Sequence, residues 1–190
     1  MRKNSKSKGN RFERSVCKAF QNWSGYEFSR TPASGGLRWK KADNISSDVV
    51  CSDPRHAKRF SLSVECKSYQ DIKFEHLLLG IKSCKINSFW TQANRDAERA
   101  KKIPVLIMRY NSMPKGEAFF MVNKEVDSFL KDQSPEISRM EISTPKIHVF
   151  VYMFKEVQRL INYGDLHKYV RKLLTVSYTH LRAHETGAYL

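Results

Sequence analysis

The sequence is short of acidic residues, of paired cysteines and of long apolar runs. It contains 34 Lys and Arg residues against 19 Asp and Glu residues, and its formal net charge is +15 over 190 residues. Its four cysteines form no CxxC pair, which argues against a zinc ribbon or a redox motif, and its six histidines form no HExxH-type pattern. No apolar stretch approaches the roughly 20 residues that span a bilayer, so no membrane segment is predicted.

The positive charge is concentrated at the N-terminus. Residues 1–41 hold eleven Lys or Arg residues and two acids, Glu13 and Glu27. Such an imbalance indicates a polyanionic partner. Nucleic acid is favoured over a membrane surface because the sequence has no long basic amphipathic helix with a broad apolar face. The basic start also lacks the apolar segment of a secretory signal, so we expect a cytoplasmic protein.

Apolar periodicity and turn residues predict the order of the secondary structure. Helices are predicted over 9–24, 71–86, 86–101 and 124–132, with a helix pair over 156–174. Strands are predicted over 26–30, 45–52, 60–68, 103–111, 118–122, 140–143 and 146–154. This order predicts an α/β domain with a mixed central β-sheet flanked by helices.

Four segments are predicted along the chain. Residues 1–8 form a flexible basic arm, 9–122 a core, and 123–175 a C-terminal extension of unknown role. Residues 176–190 show no clean periodicity and resemble translated sequencing-adapter read-through, so we expect a non-native tail there.

One predicted strand carries a candidate for chemistry. Side-chain alternation within FSLSVECKSYQ (60–70) places Glu65 and Lys67 on the face opposite the apolar residues. The preceding strand carries Asp48, and neighbouring strands would bring Asp48 and Glu65 side by side. Two converging carboxylates suit Mg²⁺, which keeps water and substrate phosphate in its other positions. Lys67 can orient or deprotonate the attacking water and stabilise charge on the phosphate. The pattern predicts phosphodiester hydrolysis.

Two alternatives compete with parts of this site. Asp71 and Lys73 repeat the acid-x-Lys spacing, but no apolar strand precedes them and they are more typical of a helix start. Asp43, after Ala42, competes with Asp48 as the first metal ligand. Asp48 is favoured because its neighbours make the better buried strand.

The order of these residues resembles the PD-(D/E)xK nuclease superfamily. More narrowly it resembles the archaeal-type Holliday junction resolvases and their phage-encoded relatives. The shared segments are KGNRFER (8–14), SRTPASGG (29–36), Asp48 with Glu65-Cys66-Lys67, and FWTQANRDAERAKKIPVLIMR (89–109), about half of the chain. The resemblance implies a restriction-endonuclease-like core over 9–122. One departure is that Val-Val follows Asp48 and the usual Pro-Asp is absent.

The resemblance also implies roles for individual residues. The implied metal ligands are Asp48, Glu65 and the backbone carbonyl of Cys66, and the implied catalytic lysine is Lys67. Glu13 and Gln92 are implied to face the same active site from the helices before and after the motif. The implied DNA-binding residues are Lys8, Arg11, Arg30, Ser34, Gly35, Gly36, Lys40 and Lys41.

The implied function is a Mg²⁺-dependent endonuclease, with Mn²⁺ able to substitute, that cuts branched DNA such as a four-way junction. It would act in recombination, repair or phage DNA processing, inside a bacterial or archaeal host and encoded by the host or a phage. Two symmetric cuts call for a homodimer. The alternatives are a nuclease of the same fold without junction preference, a catalytically inactive DNA-binding protein and, last, an RNA-binding ribosome-associated factor.

Overall fold

The structure is a computed structural model that describes residues 5–31, 47–81 and 83–186, with side chains over 6–31, 47–81 and 83–175. Six residues of the sequence predictions lie outside the described residues: Ser34, Gly35, Gly36, Lys40, Lys41 and the alternative ligand Asp43.

The described chain contains seven strands and six α-helices. The strands are Phe28–Arg30 (β1), Val49–Cys51 (β2), Leu62–Tyr69 (β3), Ile103–Tyr110 (β4), Phe119–Val122 (β5), Arg139–Ser143 (β6) and His148–Met153 (β7). The helices are Ser5–Ser24 (α1), Glu75–Leu78 (α2), Lys85–Ala100 (α3), Lys124–Gln133 (α4), Phe154–Leu160 (α5) and Tyr163–Thr186 (α6), with a short 3-10 helix at Ala57–Arg59.

All seven strands form one sheet, in the order β1-β2-β3-β4-β5-β7-β6. The central pair, β3 and β4, is parallel, and every other neighbouring pair is antiparallel. Parallel neighbours need a crossover, and α3 supplies it. The predicted mixed central sheet flanked by helices is therefore confirmed.

Each face of the sheet buries its own hydrophobic cluster. On one face, side chains of α1, α4, α5 and α6 pack together with alternate strand residues, among them Val64 and Ile107. On the other face, α3 packs against the intervening residues, among them Leu106 and Met108. Both faces are covered, so β4 reads as an unbroken apolar run rather than an alternating one. Glu65, on β3, is buried with only 4% of its surface exposed.

Two predicted helix boundaries are wrong. The first helix begins at Ser5, so part of the predicted flexible arm is helical. Apolar periodicity begins only at Phe12, but Lys6, Lys8 and Arg11 are good helix formers and carry the helix beyond its apolar part. The predicted helix over 71–86 is also wrong, because within the described residues 71–81 and 83–84 only the single turn of α2 is helical. Gly80 adopts φ +64° and ends that turn, since a left-handed residue stops the helical hydrogen-bond ladder.

The sheet continues across the predicted boundary at residue 122. β5 ends there, and it pairs with β7 in the region predicted to be an extension. Side chains from both regions share one cluster, for example Val122 and Phe150. The backbone of residues 176–186, the start of the predicted tail, continues α6. None of the described helices is long and apolar enough to cross a membrane.

Phe20 of α1 is the aromatic centre of the larger cluster. It has no exposed surface, and its ring lies 5.3 Å from Phe28, 5.6 Å from Phe154 and 6.1 Å from Phe60, measured between centroids. We expect Phe20→Ala to lower the free energy of unfolding by about 3–5 kcal/mol, because it removes buried surface and leaves a cavity. Urea unfolding measures this change.

Leu78→Ala is the matched control for that prediction. Leu78 is 79% exposed, so truncating it should change the stability by less than about 0.5 kcal/mol. Equal losses in both variants would mean that Phe20 is not at the centre of the core.

Candidate active site

The two predicted carboxylates lie opposite each other where β2 begins. Val49 of β2 pairs with Val64 of β3, so the next antiparallel pair along the ladder is Asp48 and Glu65. The Asp48 N–H donates to the Val64 carbonyl at 3.0 Å. The Cys66 N–H donates to Asp48 Oδ2 at 2.8 Å. The Asp48 side chain, one residue before β2 begins, therefore accepts a hydrogen bond from the backbone of β3.

Ser47 holds this end of β2 against β3. It is only 5% exposed, and its Oγ accepts the Val64 N–H at 2.8 Å. The same hydroxyl lies 2.9 Å from the Val49 carbonyl and 3.0 Å from the Val64 carbonyl, either of which can accept its proton. A serine hydroxyl can donate and accept at once, so Ser47 fixes the backbone directly before Asp48.

Glu65, Lys67 and Gln92 form a closed hydrogen-bonded triangle. The Lys67 ammonium donates to Glu65 Oε1 and, at 3.0 Å, to Gln92 Oε1. The Gln92 amide donates to Glu65 Oε1 at 2.8 Å. The alternation of β3 sends Glu65 and Lys67 to the face covered by α3, and α3 carries Gln92. The structure thus brings these three predicted residues together.

Burial and like charge disfavour the charged forms of both carboxyls. Burial, followed by the negative charge of Asp48, raises the pKa of Glu65 to about 7, although Lys67 opposes the shift. Burial also raises the pKa of Asp48, and the hydrogen bond from the Cys66 N–H opposes it. The pKa of Lys67 is raised as well, because its bond to Glu65 and the nearby carboxylates outweigh the cost of burial. Lys67 therefore stays an ammonium at neutral pH.

Cys66 presents its backbone, and not its thiol, to the site. Its side chain belongs to the cluster on the opposite face, and burial raises the pKa of the thiol well above its ordinary value. The N–H and C=O of one strand residue point to the same edge. Because the Cys66 N–H points to Asp48, the Cys66 carbonyl points to the same side of β3, past the residue at which β2 begins.

Glu13 approaches from α1 and is paired with Arg30. Arg30 Nε donates to Glu13 Oε2 at 2.8 Å, and a second guanidinium nitrogen donates to Asn10 Oδ1 at 2.8 Å. The Glu13 charge is near enough to contribute to the raised pKa of Asp48. The guanidinium of Arg30, which is predicted to contact DNA, therefore contacts the helix that carries Glu13. Lys8 and Arg11 are exposed on α1.

Asp96 is a residue of this site that the sequence analysis missed. It lies one turn after Gln92 on α3, and its charge contributes to the raised pKa of both Asp48 and Glu65. The sequence could have indicated Asp96, because residues four apart on a helix share a face and Gln92 is predicted to face the site.

The donor set fits a hard divalent cation. Asp48 and Glu65 supply two carboxylates, and the Cys66 carbonyl supplies a third oxygen along the same edge. Mg²⁺ takes one or two protein carboxylates and fills its other positions with water and phosphate. Within the described ranges, no cluster of three or more His, Cys, Asp or Glu side chains stands ready to hold a metal ion.

Comparison with known families decides the class of the protein. A family model described as "Phage putative PDDEXK endonuclease" matches residues 4–168, most of the chain. The chain belongs to this family. No curated protein and no solved structure matches the chain.

Family membership supports the broad prediction and leaves the narrow one open. The PD-(D/E)xK superfamily, an endonuclease class and a phage association are confirmed, and this class implies DNA as the substrate and a metal-dependent reaction. The resemblance to Holliday junction resolvases stays a prediction. So do the individual residue roles.

The raised pKa of Glu65 predicts how stability depends on pH in EDTA. The unfolded carboxyl titrates near 4.5 and the folded one near 7, so folding favours the neutral form. The resulting penalty is absent below about pH 4.5, grows as the pH rises and is complete above about pH 7. At about 1.4 kcal/mol per pKa unit, it is on the order of 3 kcal/mol. We expect Glu65→Gln to be more stable than wild type by up to that amount at pH 8, and about equal at pH 4.5.

Chemical denaturation across this pH range makes the measurement, with Glu75→Gln as the control. Glu75 is exposed on α2, so its amide variant should follow wild type at every pH. A constant offset between Glu65→Gln and wild type from pH 4.5 to 8 would contradict the shifted pKa.

Proposed function

We propose that the protein is a Mg²⁺-dependent DNA endonuclease that cleaves phosphodiesters in branched DNA, in the manner of a Holliday junction resolvase. The observation that carries the proposal is the pair of opposed carboxyls, Asp48 and Glu65, with the Lys67 ammonium bonded to one of them. Membership of an endonuclease family supports the reaction class. The net charge of +15 supports a polyanionic substrate.

In this proposal Asp48, Glu65 and the Cys66 carbonyl hold the Mg²⁺. When bound, the ion supplies Lewis-acid activation of water and of the scissile phosphate. The two carboxyls are ready for such a cation because burial and mutual repulsion disfavour their ionised forms without it. A cation would relieve both costs.

Lys67 stabilises the negative charge that develops on the phosphate. Its ammonium donates to Glu65 and to Gln92 Oε1, which holds it beside the carboxyl pair, where it can donate to a phosphate oxygen. Gln92 is a positioning residue, because its amide accepts from Lys67 and donates to Glu65. Glu13 acts from α1 as a further acid near Asp48, and Arg30 holds it in place.

The basic residues bind the DNA backbone. Lys8 and Arg11 are exposed on the helix that also carries Glu13. Together with Arg30 and the predicted loop residues, they would neutralise phosphates and release counterions, which gives affinity without sequence readout. Two symmetric incisions in one junction require two active sites, so the proposal includes a homodimer.

The test is cleavage of a labelled four-way junction beside matched linear duplex and single strand. We expect paired cuts near the branch point with Mg²⁺ and no cuts in EDTA. Glu65→Gln and Lys67→Gln should each lower the rate by at least about 100-fold, since the first removes a proposed metal ligand and the second removes a cation that stabilises the transition state.

The chain provides a matched control for these variants. Asp71 and Lys73 repeat the acid-x-Lys spacing six residues further on, but both are exposed and form only a loose ion pair of 3.8 Å. Asp71→Asn and Lys73→Gln should therefore cut at the wild-type rate.

Three outcomes of the cleavage test would change the proposal. Equal cutting of linear DNA would remove the branched-DNA preference and keep the nuclease. Metal-dependent cutting that survives Glu65→Gln would overturn the site. Tight DNA binding without cutting of any substrate would leave a DNA-binding protein of the nuclease fold.

A further inference from the structure

A basic groove lies on the side of α1 that faces away from Glu13. Its walls come from α1, from the start of α5 and from the turn that precedes β5, and it encloses about 760 Å³. Four cations line it: Lys18, Arg109, Lys155 and Arg159. We call it the α1–α5 groove.

Positive charge dominates the lining of the α1–α5 groove. Glu117 is the one acid among its lining residues, and it pairs with Lys155 at 2.7 Å. Arg159 is only loosely paired, 3.9 Å from Glu156, and 69% of its side chain is exposed. Lys18 is exposed as well. The excess of cations fits a ligand with several negative charges.

Beneath the cations, the floor of the groove is apolar and fixed. Phe12, Val16 and Phe154 are buried members of the core. At the far end stands Trp23, whose ring nitrogen donates to the Ile161 carbonyl at 2.8 Å, so the ring cannot turn freely. Cations at the rim and aromatic or apolar groups below are the combination that binds the backbone and the bases of single strands.

The groove and Lys67 lie near the same ends of β3 and β4, on opposite faces of the sheet. Arg109 of β4 pairs in register with Ser68 of β3, the residue directly after Lys67. Alternation places Lys67 on the α3 face and Arg109 on the α1 face, close to the ends of both strands. A nucleic-acid strand bound at Lys67 would reach Arg109 by passing the carboxyl ends of β3 and β4.

The size of the groove favours one strand over two. Cavities of this volume hold drug-sized ligands, and a double helix is far larger. Its length along α1, from Phe12 to Trp23, is about 16 Å at 1.5 Å per residue. At the duplex spacing of about 3.4 Å per nucleotide, a strand of about five nucleotides spans that length, lying along the open groove rather than wholly inside it.

We propose that the α1–α5 groove binds a single-stranded DNA segment that extends from the cleavage site. The proposal rests on the proposed function, since the strand is taken to come from the DNA being cut. It names single-stranded flanks of branched DNA as part of the substrate, and it gives α1 two roles, with Glu13 on one side and the groove on the other.

Fluorescence anisotropy in EDTA tests the binding without requiring cleavage. The probes are a duplex and the same duplex with a flank of about five unpaired nucleotides on either strand end. We expect one flank to raise the affinity of wild type on the order of tenfold, as one stacked base and its phosphates can. The double variant Lys18→Gln with Arg159→Gln should lose that gain. The slope of log affinity against log salt for the flanked probe should fall by about 1.4.

The matched control is Lys124→Gln with Lys168→Gln. These two lysines are exposed on α4 and α6 and lie outside the groove, so the control removes the same number of charges. It should keep the affinity gain from the flank. Equal loss of the gain in both double variants would overturn the groove as the binding place.

Site-directed crosslinking gives the path of the strand. All four native cysteines are buried, so a cysteine placed on the surface can be labelled selectively. With a photoreactive label on Ser15→Cys or Asn22→Cys, the crosslinked nucleotide should move along the flank between the two positions. The same label on Lys146→Cys, in the distant turn between β6 and β7, should give no crosslink. Equal crosslinking at all three positions would contradict a defined path.

Failure of the groove and failure of the nuclease are distinguishable. A protein that holds the flank in the groove but cuts nothing with Mg²⁺ would refute the proposed function and keep the groove. A protein that cuts branched DNA, but whose groove and control variants behave alike, would refute the groove and keep the nuclease.

Discussion

Two carboxyl groups share a partly buried space at the edge where β2 begins, and the arrangement around them follows from that constraint. Like charges in a poorly solvated place repel each other, which is why the pKa of both Asp48 and Glu65 is raised. The described hydrogen-bond donors around the two carboxyls reduce the cost of this repulsion. The Cys66 N–H donates to Asp48, and Lys67 and Gln92 donate to Glu65. A bound cation would offset the repulsion between the two carboxyls that these hydrogen bonds leave uncompensated.

The order of the strands creates this space, and among the described residues no special loop contributes to it. Among the described strands, the residues of β3 after Val64 pair in register only with β4. On the side of β2, the Cys66 N–H donates to the side chain of Asp48, the residue directly before β2. Because β3 and β4 are parallel, a crossover must connect them, and its helix α3 lies over the face that carries Glu65. The crossover thus delivers Gln92 and Asp96 to the site.

The alternating strand 60–68 and the continuous strand 103–111 were predictable because burial leaves a clear pattern in sequence. The pairing of Asp48 with Glu65 was predictable for the same reason, since register follows from which residues are buried. The short α2 was not, because its end depends on a left-handed Gly80 and the apolar residues around it mimic a longer helix. The pairing of Arg30 with Glu13 joins residues 17 apart through tertiary packing, which no periodicity reports.

The hydrogen bond from Cys66 to Asp48 makes the first acid a structural member of the sheet as well as a chemical one. Only Asp and Asn have a side-chain oxygen at this reach, and only Asp also brings a charge. Alanine at this position would orphan a backbone amide, so loss of activity there could reflect damage to the scaffold. A relative without cleavage activity could carry Asn at this position and still accept the hydrogen bond from the neighbouring strand. The identity of this one residue would therefore separate working enzymes from binding proteins built on the same fold.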